Sequence, residues 1–299
     1  MLLRVPIPAF TGVQTAPFVN GGDVNNKGVE LLLVYRKPNP GKFFYDVSVN
    51  FSKNINKVTK LSNSQAALFA GGSRTVVGES IGVFYGYVMD GIFQTAADVS
   101  NHPFQTTGTA PGDVRFKDLN FDNKINQADR TTIGNPWPKG SYGLSSNFRY
   151  NAFDLNLALN AVYGNDILAN WKYFTQGSNF YNKDTDMLNA WNGEGTSNTI
   201  PRLNVNDPND NMRASSYYIE DGSYLRLQNV QLGYSFPHKI FNKAQKLRLY
   251  LAARNLITLT KYRGFDPEIG SPGSTLIVGT DEGYYPQPRI FTAGLNLSF

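Results

Sequence analysis

The chain has 299 residues, of which 41% are hydrophobic, and no run approaches the roughly 18 consecutive apolar residues of a transmembrane helix. Cysteine is absent, which excludes disulfide frameworks, zinc ribbons and thiol catalysis. The 28 basic and 23 acidic residues give a net charge of +5 and are scattered, so nucleic-acid binding is poorly supported.

The predicted elements are strands in which apolar and polar residues alternate. We count about eight candidates, in chain order Val29–Arg36, Phe43–Phe51, Gly78–Val88, Tyr142–Tyr150, Phe153–Tyr163, Ser223–Phe236, Lys246–Asn255 and Arg289–Phe299. In Ser223–Phe236 the apolar phase slips between Leu227 and Val230, which predicts a β-bulge near Gln228 and Asn229.

The last strand, RIFTAGLNLSF, places Phe291, Ala293, Leu295 and Leu297 on one face and ends on the aromatic Phe299. About 9 to 11 alternating residues suffice for a tilted strand to cross a bilayer with one face in lipid. Taken alone, this strand fits a soluble sandwich as well. The repetition along the chain favours a membrane barrel, since so many polar residues opposite a clean apolar face indicate a face that meets water.

The predicted connections are of two kinds. Asn151–Ala152 and Pro237–Gln245 are short polar turns, whereas Gln94–Gly140, Asn165–Asp221 and Thr258–Pro288 are long. Short turns at one end and long loops at the other are typical of an outer-membrane barrel, with the long loops outside the cell.

Short helices are predicted within the long loops, over Asp166–Thr175 and Asp184–Trp191. Aromatic side chains cluster in and around them: Trp171, Tyr173, Phe180, Tyr181 and Trp191. They either pack the loop against its neighbours or stack on a sugar ring, and the sequence does not separate the two.

The segment DLNFDNKINQAD, Asp118–Asp129, has the spacing of a calcium loop. The oxygen ligands at positions 1, 3, 5, 7, 9 and 12 would come from Asp118, Asn120, Asp122, the Lys124 carbonyl, Asn126 and Asp129. Asn123 replaces the usual glycine at position 6, and Asp129 replaces the usual glutamate, as in the dockerin version of the loop. Asn tolerates the left-handed backbone that position 6 needs. The alternative is an Asx-rich turn held by its own hydrogen bonds; in both cases the role is structural.

Catalytic motifs are sparse. His102 and His238 are distant from each other and each adjoins a proline, so neither suggests a ligand pair or a triad base. Carboxylates are plentiful in the loops, but their separation is invisible in the sequence. We predict that the chain is not an enzyme.

Several ordered segments resemble the C-terminal part of SusC/RagA-type TonB-linked outer-membrane proteins. They are NNKGVELLL (Asn25–Leu33), FYGYVMDGIFQ (Phe84–Gln94), Pro111–Lys139, Tyr142–Leu155, Ile219–Pro237, Leu247–Glu268 and the terminal YYPQPRIFTAGLNLSF. The resemblance covers Gly21 to Phe299. The N-terminal MLLRVPIPAFTGVQ lacks the features of a secretory signal, so either the chain begins inside a longer polypeptide or the barrel interpretation is wrong.

The resemblance implies an all-β fold, the C-terminal part of a large antiparallel transmembrane β-barrel with long extracellular loops that carry short helices. Such barrels have about twenty-two strands and a plugged lumen. Residues 1–299 would then be the C-terminal segment, without the plug and the early strands. Alone, such a segment is expected to form an open, curved sheet with exposed edges that is prone to aggregation.

The resemblance further implies TonB-dependent import of oligosaccharides or peptides across the outer membrane of a Gram-negative bacterium. The partners would be a SusD-like surface lipoprotein, TonB through the missing N-terminal part, and the barrel-insertion machinery through the C-terminal strand. Polar strand residues would line the lumen: Asp46, Asn50, Asp154, Asn156, Asn160, Arg248 and Arg254. Two alternatives stay open: a barrel-like binding or adhesion module without transport, and a secreted calcium-stapled β-domain that acts on glycans.

Overall fold

The computed structural model describes residues 2–4, 18–38, 41–61, 67–177, 181–236, 246–270 and 274–298. The strands of these residues are β1 (Leu2–Arg4), β2 (Phe18–Asn20), β3 (Gly22–Arg36), β4 (Phe43–Leu61), β5 (Ala67–Ala70), β6 (Ser73–Val76), β7 (Val83–Gly86), β8 (Met89–Ile92), β9 (Val114–Phe116), β10 (Thr131–Gly134), β11 (Gly140–Tyr150), β12 (Phe153–Tyr163), β13 (Asp166–Ala169), β14 (Ile219–Asp221), β15 (Tyr224–Ser235), β16 (Lys246–Thr260), β17 (Thr280–Asp281) and β18 (Ile290–Ser298). One α-helix, α1, spans Ala96–Asn101, and short 3-10 or π turns cover Gln127–Asp129, Tyr173–Gly177, Thr185–Asn189 and Ser216–Tyr218.

Seven long strands form one antiparallel sheet in the order β3-β4-β11-β12-β15-β16-β18. Each strand pairs with the next long strand along the chain, so the sheet is an up-and-down meander. The short elements from β5 onward lie in its connections, whereas β1 and β2 pair with each other and precede it. Among the described residues, no strand pairs with the outer edge of β3 or with that of β18.

The register places the alternating residues of all seven strands on two distinct faces. One row across the sheet joins Tyr35, Val47, Ser146, Leu157, Val230, Ala253 and Phe291, and the next joins Arg36, Asp46, Asn147, Asn156, Gln231, Ala252 and Thr292. Because opposed residues of an antiparallel pair share a face, the sheet is apolar on one side and polar on the other.

Aromatic residues flank the apolar band at both ends. At the end with the short turns, the ring centroids of Tyr35 and Tyr45 are 5.6 Å apart and those of Phe153 and Tyr234 are 4.8 Å apart. Toward the long loops, the ring centroid of Phe51 lies 5.0 Å from that of Tyr142. On β4, eight residues separate Phe51 from Phe43, whose ring lies beside that of Tyr45, and this corresponds to a rise of roughly 26 Å along the strand. This arrangement has the height and the aromatic girdles of a membrane-facing band.

The predicted bulge is confirmed at Gln228. Asn229 pairs with Ala158 while Leu227 pairs with Leu159, so β15 has one extra residue relative to β12. The register against β16 is also irregular here, where Leu227 pairs with Ile257 and Asn229 with Arg254. One extra residue shifts the side-chain alternation by one, so Leu225 and Leu227 lie on the same face as Val230 and Leu232.

The long connections build a second layer with small sheets of their own. One contains β10, β7, β6 and β5, a second β14, β13 and β17, and a third β8 and β9. Phe84 packs with Leu168 and Tyr218, and Val114 packs with Phe116 and Ile125. The prediction that Gly78–Val88 is a strand of the large sheet is therefore wrong, since β7 belongs to this layer and its Phe84 is fully buried.

The predicted helix over Asp166–Thr175 is wrong in its first half, because Asp166–Ala169 forms β13 between β14 and β17. The helix predicted over Asp184–Trp191 is confirmed as a 3-10 turn over Thr185–Asn189, capped by the side chain of Asp184. The turn Pro237–Gln245 with His238, and also Phe180 and Phe299, lie outside the described residues. Where the structure describes the chain, its helices are all too short or too polar to cross a membrane.

Candidate functional site

The polar face of the sheet holds all seven strand residues predicted to line a lumen. Asp46 and Asn156 each oppose Asn147, and Asn50 and Asn160 each oppose Gly143. The Asn147 amide donates to the Asp46 carboxylate at 2.8 Å. The register also puts Arg254 opposite Asn229 on this face. The wall is thus rich in hydrogen-bonding side chains and suited to contact with water, a polar solute or a polar protein segment.

An ion pair crosses this face over β15. The Arg248 Nε donates to the Asp154 carboxylate at 2.9 Å, although the two residues lie on strands that flank β15. Gly233 lies between them, and a Cβ at this position would lie closer than 3 Å to both side chains. Glycine thus leaves room above the backbone for the ion pair, whose two side-chain ends would have to shift for any larger residue.

The wall encloses a broad concavity of about 1090 Å³ at the short-turn end. Its charged lining comprises Asp46, Arg149, Asp154, Lys246 and Arg248. Cations outnumber carboxylates among them, and the Asp154–Arg248 pair neutralises one of each. The concavity offers both hydrogen-bond donors and acceptors, and basic side chains predominate.

Arg226 joins the wall to the last long loop. Its guanidinium is buried, with 3% of the residue exposed, and it contacts the carboxylates of Asp266 at 2.5 Å and Glu268 at 2.8 Å. Asp266 also accepts the backbone N–H of Gln287 at 3.0 Å, which ties both ends of the loop together. This anchor was not predicted; the signal for it in the sequence was an arginine within a strand that contains many apolar residues.

The predicted calcium loop adopts the expected backbone. Asn123, at position 6, has φ 62°, and Phe121 has φ 61°, so both lie in the left-handed region. The Asp118 carboxylate accepts the backbone N–H groups of Phe121 at 2.7 Å and Asn123 at 2.9 Å. Ile125 is buried against Val114 and Phe116, which fixes the loop to the layer beneath.

Three of the six predicted ligands converge. The Asp122 carboxylate accepts the side-chain amides of Asn120 at 3.0 Å and Asn126 at 3.2 Å. The Asn120 amide is the main cause of a lowered pKa of Asp122, so this carboxyl is charged at neutral pH. Asp129 is fully buried, and its oxygens accept the backbone N–H groups of Leu119 and Asn126. Over the part of the chain that the structure describes, no three His, Cys, Asp or Glu side chains are arranged to hold a metal.

A buried polar network joins two of the long loops. The Asp113 carboxylate, fully buried, accepts the Arg202 guanidinium at 2.9 Å and the Asn211 amide at 3.0 Å. Gln105 donates to the Asn209 side chain at 2.9 Å. The sequence could not pair these residues, because about 100 positions separate the partners.

Two of the residues singled out in the sequence, Trp191 and His102, have structural roles. The Trp191 indole donates to Gln94 at 3.1 Å, which supports its packing interpretation. His102 lies edge-on against Phe93, and burial lowers its pKa. The Trp171 indole donates to the Tyr262 hydroxyl at 3.1 Å, and its ring also lines a cavity.

No family model matches the chain, but individual proteins do. It is 35% identical to TonB-dependent receptor P3 and 30% identical to TonB-dependent receptor P39, both of Formosa agariphila, and 29% identical to TonB-dependent receptor SusC of Bacteroides thetaiotaomicron. Each alignment includes the whole chain but only 31%, 32% and 29% of the relative. The chain therefore spans about a third of the length of the curated relatives it matches.

Solved structures of a transporter also match the chain. The RagAB peptide transporter matches with a TM-score of 0.79 and 26% identity, over the whole chain and 32% of that structure's chain. The same importer in its open-open state matches with a TM-score of 0.76. The predicted fold class, part of a large antiparallel barrel with long loops, is confirmed.

Proposed function

We propose that this chain, which matches SusC/RagA-type TonB-dependent receptors over its whole length, is part of a protein that imports a nutrient across the outer membrane of a Gram-negative bacterium. The main support is the seven-stranded sheet, apolar on one face and polar on the other between two aromatic rows. A sheet of this kind separates lipid from a polar lumen.

In this proposal the chain supplies part of the barrel wall and of the extracellular loop layer. The polar face lines the path of an oligosaccharide or a peptide, or contacts the segment that plugs the lumen. TonB supplies the energy through the part of the protein outside these residues, and a SusD-like lipoprotein covers the loops. The C-terminal strand is the segment that the barrel-insertion machinery recognises. The relatives bear the names of receptors and transporters, so we propose no catalytic step.

Uptake by the native host tests the proposal. Deleting the full-length gene should abolish uptake of one labelled oligosaccharide or peptide from a mixed pool, and restoring the gene should restore it. Inactivating TonB should have the same effect as the deletion. If uptake of every pool member survives both changes, the import proposal is wrong.

Location and partner are tested separately. The full-length protein should fractionate with outer membranes, and a tagged copy should retain a surface lipoprotein when it is purified in detergent. A product that stays in the aqueous phase without detergent would contradict the membrane assignment.

We also propose that Ca²⁺ binds the Asp118–Asp129 loop. The left-handed backbone at Asn123 and the convergence of Asn120, Asp122 and Asn126 fit an oxygen-lined cation site. The side-chain oxygens of Asn120 and Asn126 accept the backbone N–H groups of Asp122 and Ala128, so calcium binding requires both amides to rotate toward the ion. Asp118 and Asp122, with the Lys124 carbonyl, would supply further oxygens. The ion would stabilise the fold of a long external loop and would have no direct role in transport.

Limited proteolysis of the full-length protein, with and without a chelator, tests the calcium proposal. Chelation should expose the Gln94–Gly140 loop to cleavage, and Asp122→Asn should raise the Ca²⁺ concentration needed for protection about tenfold or more, because it removes one ligand charge. The amide oxygen that this substitution introduces could still accept the Lys124 N–H, so the turn should survive. Glu194→Gln, an exposed carboxylate outside the motif, serves as the control. If the cleavage rate is the same with and without the chelator, the calcium proposal is wrong, and the loop is held by its own Asx hydrogen bonds.

A further inference from the structure

A cavity of about 570 Å³ lies in the loop layer, away from the strands that form the polar wall. Its walls come from two long connections, one following β13 and the other joining β16 to β18. Three aromatic residues line it: Trp171, Phe174 and Phe265. Phe265 is 73% exposed, so its ring is accessible to a ligand. The volume falls within the range of small-ligand sites.

The cavity is acidic. Asp184, Asp186 and Glu282 line it, against a single cation, Arg263. The layer behind does not reverse the balance: Lys172 pairs with Glu220, and Asp281 accepts the Tyr262 hydroxyl. If Lys183, the neighbour of Asp184 in the chain, is counted with the lining, carboxylates still outnumber cations.

The carboxylates are fixed in position, but their charge is only partly compensated. Arg263 neutralises Asp186 at 2.7 Å and also contacts Glu220. Three uncharged groups donate to Asp184: the Thr175 hydroxyl, the Gln176 amide and the Asp186 backbone N–H. Glu282 accepts the Asn170 amide at 2.7 Å. The lining therefore carries a net negative charge beside aromatic rings.

Aromatic faces and carboxylates together favour a cation on an apolar stem. The ring quadrupole attracts the cation, while the ring surface accepts the stem. The protein already uses this contact next to the cavity, where the Lys172 ammonium lies 5.9 Å from the centre of the Trp171 ring. An anionic solute would be repelled by the same lining.

We propose that this cavity binds the side chain of an arginine or lysine in a peptide substrate. The inference rests on the proposed import function and narrows its substrate class from oligosaccharides or peptides to peptides with basic residues. Glu282 supplies the charge partner at the mouth and Phe265 the stacking surface.

Calorimetric titration of the detergent-solubilised full-length protein tests this without any transport assay. The probes are the blocked tripeptide acetyl-Ala-Arg-Ala-amide, its citrulline analogue, which has nearly the same shape and no charge, and a neutral oligosaccharide. The arginine peptide should bind at least about fivefold more tightly than the citrulline peptide, and added salt should weaken it.

Two exposed lining residues give the matched variants. Glu282→Gln and Phe265→Ala should each weaken binding of the arginine peptide about threefold to fivefold. Tyr285→Ala serves as the control, because Tyr285 is 97% exposed and does not line the cavity. Unchanged melting curves would show that the variants fold.

Equal binding of the arginine and citrulline peptides would overturn the proposal. So would binding that neither variant weakens, or oligosaccharide binding that Phe265→Ala abolishes, which would assign the cavity to sugars. If TonB-dependent uptake is observed without arginine-peptide binding, the import function stands and the peptide inference fails.

Discussion

Lys172 and Glu220 form a buried ion pair within the loop layer. The ammonium lies 2.5 Å from the carboxylate, and the two side chains are 3% and 9% exposed. Burial lowers the pKa of Lys172, and its bond to Glu220 opposes this shift only in part. Burial alone would raise the pKa of Glu220, but Lys172 and Arg263 outweigh it, so the pKa is lowered. Glu220 thus compensates the buried Lys172 ammonium, and Lys172 and Arg263 together compensate the Glu220 carboxylate.

Replacing one partner should destabilise the loop layer. Glu220→Gln leaves the Lys172 ammonium buried with only a neutral partner, which costs about 3 to 5 kcal/mol. The double variant Glu220→Gln with Lys172→Met removes the buried charge and should recover much of that stability. Chemical unfolding of the full-length protein, followed by tryptophan fluorescence, measures both. A double variant less stable than Glu220→Gln would contradict this account of the pair.

The same pair predicts a loss of stability in acid. Because the folded pKa of Glu220 is lowered, its contribution is complete above its unfolded pKa of about 4.3 and is lost as pH falls through the folded value. Proteolysis of the loops should accelerate as the pH drops below about 4. The Glu220→Gln variant isolates this group, and its cleavage rate should change less with pH over the same window. If the cleavage rates of the Glu220→Gln variant and of the unmodified protein depend on pH in the same way, other carboxylates cause the acid sensitivity.

At the scale of elements, the bulge in β15 decides which side chains face each side of the sheet. Gln228 is the extra residue, and it keeps Leu225 and Leu227 on the same face as Val230 and Leu232. A slip of one residue in a strand exchanges its two faces.

Deleting Gln228 should therefore block assembly of the sheet. Either Tyr224–Leu227 or Asn229–Ser235 must then reverse its faces, which would place polar residues in the apolar band at a cost of about 2 kcal/mol or more for each charge. The yield of heat-modifiable, folded full-length protein in the outer membrane is the measurement. Gln228→Ala keeps the extra residue and should assemble normally. Normal assembly of the deletion variant would refute the role given to the bulge.

Strand prediction succeeded where the two faces of a strand meet different environments, because apolar and polar residues then alternate along the sequence. The predicted strand Phe153–Tyr163 has the bounds that the structure shows, because each second residue meets a different face. Prediction assigned the strand within Gly78–Val88 to the wrong sheet and Asp166–Ala169 to a helix. Their apolar residues Phe84 and Ile167 are buried inside the loop layer. A short apolar run is compatible with either setting, and only its long-range pairing distinguishes them.

At the scale of the whole molecule, the sheet has two long edges without partners among the described residues, β3 and β18. Leu31 to Tyr35 on β3 and Phe291 and Leu295 on β18 carry exposed apolar side chains. Exposed, long, hydrophobic edges promote pairing between molecules. The relatives are about three times longer than this chain, so they contain enough further residues to cover both edges.

The 299 residues on their own should accordingly aggregate. Refolded in detergent, they should elute as large oligomers in size-exclusion chromatography, whereas the full-length protein should give a narrow peak of defined size. Introducing lysine at exposed edge positions, as in Leu32→Lys with Val34→Lys, should reduce the aggregation by disfavouring edge pairing. A monomeric, protease-resistant isolated chain would show that these strands close by themselves.

Local patterns in the sequence were enough to predict the two-faced strands, the bulge, the position of the long loops and the family resemblance, which the relatives confirm. All of these depend on the local order of residues, that is on the period and phase of apolar and polar residues and on the spacing of motifs. Tertiary structure alone decided that Arg248 reaches Asp154 across Gly233, that Arg226 holds the last loop, and that the cavity of Trp171 and Phe265 is acidic. These contacts join residues 40 to more than 90 positions apart. No local pattern specifies such pairs, because they form only when the sheet and the loop layer bring distant segments together.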